Sequence, residues 1–155
     1  MCKRTVVSAS FATVILVCLG LAVHASDDID LHRHCTNCGM DRKAYGFSRM
    51  LLRFDNGTEV GVCSLHCAAV EMESKKDSKP GSILVADRDT RTLIRAEQAV
   101  WVAGGNKRGV MTDHPSWAFS TKASADTFIS EYGGRLATWQ DVLAEAQKEI
   151  SSGNP

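Results

Sequence analysis

The chain has no run of lysines or arginines and no excess of either charge, with 18 basic against 18 acidic residues in 155. It therefore lacks the phosphate-neutralising surface of a nucleic-acid partner. G-x-S-x-G, a glycine-rich phosphate loop and H-E-x-x-H are also missing, so no hydrolytic, nucleotide-driven or zinc-peptidase chemistry is written in the chain. It is read as a binding protein and not an enzyme. Spare cysteine is a third absence. Of six cysteines, Cys2 and Cys18 sit in an N-terminal leader. The other four form one motif, Cys35-Thr36-Asn37-Cys38-Gly39-Met40 answered by Cys63-Ser64-Leu65-His66-Cys67.

The leader, residues 1–25, carries Lys3 and Arg4, an apolar run from Val14 to Val23, and Val23-His24-Ala25 before Ser26. This order is that of a secretory signal peptide cleaved after Ala25. It places the protein in the periplasm, with an inner-membrane tether if the leader stays as a single-span anchor. Leu16-Val17 precede Cys18 where a lipidation site wants a small residue. Removal of the leader leaves 130 residues with 16 basic and 18 acidic groups, enough for one compact domain. Residues 26–33 read as a polar, flexible arm, and residues 34–152 as the domain.

Within the domain, Cys35-x-x-Cys38-Gly39 reads as a tight knuckle with Gly39 at positive φ. Strands over 47–54 and 59–63 flank Asp55-Asn56-Gly57-Thr58, a hairpin signal. Ser64 caps a helix with Leu65, Ala68, Ala69 and Met72 on one face. Cys63 precedes that cap and Cys67 lies in the first turn, where a helix N-terminus favours thiolate. A knuckle pair, a hairpin and a pair at a helix start build a four-sulfur site in the treble-clef manner.

Further on, a second hairpin spans 82–95, strands fall at 99–103 and 117–120, and Ala125, Phe128, Ile129 and Tyr132 mark a helix stopped by Gly133-Gly134. Thr138 with Asp141 caps a last helix. Val60–Ser64 enters its helix much as Ser116–Ser120 enters the next, so the chain repeats. The fold class is α+β, with two related ββαβ-like units, 34–97 and 98–152, packed as one domain. The second unit has no cysteine, so the scaffold folds without metal and the sulfurs read as added for function.

Three occupants fit the four sulfurs. Cu(I) takes two or three soft ligands, often with a thioether; Zn(II) takes all four as a closed tetrahedron; and an exported protein can instead form Cys35–Cys38 and Cys63–Cys67 disulfides. A thioredoxin-like reading fails, because Gly39-Met40 does not begin a helix. Methionine favours copper, since a thioether binds Cu(I) but forms no disulfide. Met40 follows the knuckle and reads equally as a ligand or a core filler. Met111 sits on a polar loop beside Gly109, where packing is the less natural role. His66 reads as a ligand or as an exposed helix-start residue. Met50 and Met72 read as core, as do Trp101, Trp117 and Trp139.

These pieces in this order resemble the NosL family of copper-binding accessory proteins for nitrous oxide reductase. The resemblance rests on Cys35-x-x-Cys38-Gly39-Met40, Asp55-Asn56-Gly57, Cys63-Ser64, Ala99-Val100-Trp101-Val102, the Met111 loop, Ala118-Phe119 and Gly133-Gly134. It implies Cu(I) binding, delivery to a copper-receiving protein or a copper transporter complex, and a fold of two ββαβ-like units shared with organomercurial lyase. It also implies that Met111 is a copper methionine. The extra Cys63-x-x-x-Cys67 pair resembles the TRASH and YHS metal-binding modules. The competing reading is a zinc-stabilised four-cysteine module for heavy-metal sensing or protein interaction. The expected site gathers Cys35, Cys38, Cys63, Cys67, Met40, His66 and Met111 between the two units.

Overall fold

A computed structural model describes residues 27–153; the expected signal peptide, with Cys2 and Cys18, lies outside them. Among the described residues no helix is long and apolar enough to cross a membrane.

The first hairpin forms where the turn residues and alternation place it. Strand β1 (Met50–Phe54) pairs antiparallel with β2 (Glu59–Val62), Met50 opposite Val62 and Arg53 opposite Glu59. Gly57 at φ 82° closes the turn, with the Asn56 side-chain oxygen accepting from the Thr58 N–H. Met50, Leu51 and Leu52 are all buried, which marks β1 as a central strand covered on both faces. The helix α2 (Leu65–Ser74) follows, and β3 (Pro80–Ala86) returns along the free side of β1. Strand β4 (Leu93–Arg95) extends the sheet, giving the order β2-β1-β3-β4.

The second unit repeats the plan. β5 (Val100–Ala103) pairs with β6 (Ser116–Phe119), α3 (Lys122–Tyr132) follows, and β7 (Arg135–Ala137) returns beside β5. The order β6-β5-β7 matches β2-β1-β3. Both sheets are antiparallel, as the repeat implied. Gly133 ends α3 at φ 75°, a conformation that favours glycine. Helix α4 (Trp139–Ser151) begins with the expected Thr138–Asp141 capping box and packs back on α2. One hydrophobic core therefore runs through both units, joining Met50, Val62 and Cys63 to Trp101, Trp139 and Val142. The three tryptophans are buried, as expected of core aromatics.

The arm differs from its reading. Residues Asp27–Leu31 form a short helix, α1, and Asp28 is buried. Its carboxylate meets two buried guanidinium groups, Arg42 at 2.8 Å and Arg49 at 3.0 Å. Arg42 also donates to the carbonyls of Asp28, His32, Met50 and Val62. A buried cation holds its place only when paired and fully hydrogen-bonded, and this polar segment supplies both requirements.

Candidate metal centre

Backbone hydrogen bonds shape the knuckle before any metal is considered. The Cys35 N–H donates to the Met40 carbonyl at 2.8 Å, and the Gly39 N–H donates to the Cys35 carbonyl at 2.9 Å, with Gly39 at φ 76°. Thr36 ties the knuckle to the sheet, its N–H and hydroxyl both donating to the Gly61 carbonyl. Gly61 admits no side chain, because a Cβ there would stand 2.5 Å from His32 and 2.8 Å from the Arg42 guanidinium. The arm, the knuckle and β2 thus meet at one glycine, two residues before Cys63.

On the other side, Ser64 in extended conformation caps α2, its hydroxyl accepting from the Cys67 N–H at 3.4 Å. Cys63 leaves the end of β2 and Cys67 stands in the first helical turn. The knuckle, the hairpin and the helix start therefore converge in the treble-clef arrangement. The four sulfurs lie within 4.8 Å of one another, with Cys38–Cys63 at 3.5 Å and Cys63–Cys67 at 3.7 Å. A tetrahedron with metal–sulfur bonds near 2.3 Å has edges of about 3.8 Å. The donor set accordingly fits a thiophilic metal ion. All four are free thiols; three are buried and Cys38 is half-exposed.

Charge is shared unequally among the sulfurs. Hydrogen bonds from Cys63 and Cys67 hold the Cys35 thiol well below its ordinary value. In return Cys63 is pushed up, and Cys67 is pushed up to about 12, chiefly because each serves the Cys35 thiolate. The helix start alone would favour thiolate at Cys67, but a neighbouring thiolate outweighs it. Among these three, the negative charge is held at Cys35 at the expense of Cys63 and Cys67. Asn37, inside the first Cys-x-x-Cys, donates its amide to the Cys67 sulfur at 3.4 Å. It was legible only as a short polar residue between two ligands.

The other expected ligands lie elsewhere. Met40 packs half-buried against the main hydrophobic core. It also lines an open depression with Tyr45, Arg108, Met111 and Thr112, and none of the cysteines lines it. That depression lies between the two units. Met111 is 37% exposed and holds φ 58°, a left-handed conformation unusual outside glycine. His66 is not brought to the sulfur group, nor is it exposed. It is buried, and its Nδ1, which makes no hydrogen bond, lies 3.6 Å from the Glu149 carboxylate. Arg42 and Glu149 carried no sequence signal, since each is a charged residue whose partners lie far from it along the chain.

No curated protein matches the chain. Among solved structures, the copper chaperone NosL from Shewanella denitrificans matches with a TM-score of 0.56 and 22% identity, over 72% of this chain and 90% of that one. That likeness carries the fold. The NosL family itself matches residues 27–147, from the buried Asp28 anchor through the four cysteines to the last helix, and the chain belongs to the NosL family.

Proposed function

We propose that this protein is an exported copper(I) metallochaperone that works in the periplasm and hands its ion to a copper-receiving partner, such as a nitrous oxide reductase assembly system. The reading is carried by the convergence of four free thiols in a NosL-family chain. Copper is the cargo. Three buried cysteines supply affinity, and half-exposed Cys38 is the sulfur an incoming ligand reaches first. Met40 and Met111, on the adjoining depression, supply thioethers that bind Cu(I) and release it more readily than thiolates. Transfer then proceeds by stepwise ligand exchange, with no bond made or broken in any substrate. The test is competition for Cu(I) against bicinchoninate with the reduced protein. Tight binding lost in a variant lacking all four cysteines supports the reading; equal affinity in the two proteins ends it.

The alternative is a zinc-stabilised module, favoured by one observation: all four sulfurs already lie within 4.8 Å of one another, enough donors for a closed four-coordinate site. It requires one Zn(II) per chain as isolated and unfolding on chelation. Copper handling instead leaves the metal-free protein folded and makes Met111→Ala alter Cu(I) affinity or transfer without altering stability.

A further inference from the structure

Most of the buried carboxylates serve the scaffold around them. Asp28 pairs with Arg42 and Arg49, Asp87 closes the β3–β4 turn, and Glu71 pairs with Lys75 one turn along its own helix. Glu149 is different. It lies on the buried face of α4 with Trp139, Val142 and Ala146, and no lysine or arginine meets it among the described residues. Its two oxygens are taken up by consecutive residues of the loop that follows Met111. The Thr112 hydroxyl donates to Oε2 at 2.7 Å, and the Asp113 N–H donates to Oε1 at 3.0 Å. The Thr112 oxygen in turn accepts from the His114 N–H at 2.9 Å, so the turn is fixed over three residues.

The residue held at the head of this clamp is Met111, strained at φ 58° with its side chain exposed. A left-handed non-glycine residue persists only where its surroundings over-determine it. Here the surroundings are the two residues gripped by Glu149. The same carboxylate faces His66, the neighbour of Cys67, so α4 touches both the helix that carries the Cys67 sulfur and the loop that carries the thioether.

We propose that Glu149 is a positioning residue that presents the Met111 thioether for copper exchange. The proposal rests on the reading of Met111 as a copper ligand. It assigns Glu149 no contact with the ion. Gln at this position keeps the size and one acceptor, so it releases one of the two loop donors.

The experiment is a double-mutant cycle on the full exported chain, using Cu(I) with bicinchoninate as competitor and apo-protein melting as the control for folding. Glu149→Gln and Met111→Ala should each weaken Cu(I) binding about tenfold, the lower end of what lost outer-shell support costs a metal site. The double variant should be no weaker than Met111→Ala alone, because the clamp acts only through that side chain. Thr112→Val removes one loop donor while leaving α4 intact, and should show the same dependence on Met111 even if Glu149→Gln folds poorly. Losses that multiply in the Met111→Ala background, or full affinity in both Glu149→Gln and Thr112→Val, overturn the proposal. If Met111→Ala itself binds copper normally, the ligand reading fails and the proposal with it. If Met111→Ala is weakened and the clamp variants are not, only the proposal fails.

Discussion

The two units share one plan and hold it together with different chemistry. In each, two antiparallel strands lead into a capped helix, and a third strand returns beside the first. The second unit fills this plan with aromatic rings: Trp117, Phe119, Phe128 and Tyr132, with centroids 4.9 to 5.4 Å apart along the cluster. The first unit fills it with sulfur and buried charge. The helix caps give the sharpest correspondence. Ser64 accepts from the N–H of Cys67, and Thr121 accepts from the N–H of Ser124, three residues on in both cases. By that register Cys63 stands where the second unit has Ser120, and Cys67 where it has Ser124. The sequence alignment of 60–64 with 116–120 was therefore one residue out, because it matched serine to serine and not cap to cap. The lesson is that the backbone turn carrying two of the sulfurs forms without them.

Breaking the charge scaffold should separate the units most strongly. Asp28 neutralises two buried guanidinium groups, and removing one partner of such a group costs about 3–5 kcal/mol. Asp28→Ala is expected to lose that much in denaturant unfolding of the metal-free protein. The second unit has no such dependence, because among the described residues it buries no lysine or arginine, and its buried carboxylate, Glu149, pairs with neither.

The sulfur cluster supplies the next contrast. With Cys63 raised and Cys67 at about 12, both are protonated at neutral pH while Cys35 is ionised. Metal binding to all three must displace about two protons per ion, so apparent affinity should tighten about a hundredfold per pH unit near neutrality. Calorimetry in buffers of differing ionisation enthalpy measures the proton count. A value near zero would place the ion off Cys63 and Cys67.

A third test addresses the joint between the units. Asp87, on the β3–β4 turn, accepts from the N–H groups of Asp89 and Thr90 and, across the joint, of Ser120 at 2.6 Å. Burial pushes its carboxyl up, but these donors outweigh burial and hold it at about 2. Its folded pKa thus lies below the unfolded value, so its contribution is complete above pH 4 and is lost as pH falls towards 2. Asp87→Asn should cost roughly 2 kcal/mol at pH 7 and flatten the stability profile between those limits, read by thermal melts across pH.

Much of this was legible in the sequence because the decisive signals are local. Asn56-Gly57 requires a turn, Ser64 and Thr138 require helix starts, and Gly133 requires a stop, so the elements fell close to their expected places. The four cysteines were legible as one site because their spacing encloses a hairpin. What escaped depends on contacts distant in sequence. Asp28 looks like a solvated acid until Arg42 and Arg49 arrive beneath it, 14 and 21 residues later. Glu149 reads as a charged helix residue until the loop 36 residues before it folds over its carboxylate. His66 was placed by its neighbour Cys67, yet a helix turns its side chain about 100° away from the next one, towards α4.

The smallest effect sharpens the comparison most. Ser64→Ala and Thr121→Ala remove equivalent cap acceptors, and each should cost about 1 kcal/mol in the metal-free protein. With copper bound the two should diverge. Ser64 fixes the N–H of Cys67, and its oxygen lies 3.9 Å from the Cys63 sulfur, so its loss lets both ligands move. Ser64→Ala should therefore also weaken Cu(I) binding, by up to about tenfold, the lower end of what lost support of a metal ligand costs. Thr121→Ala supports only Ser124 and should leave copper affinity unchanged. If the two variants bind Cu(I) equally well, the cap serves only the helix, and the cysteines hold their geometry without it.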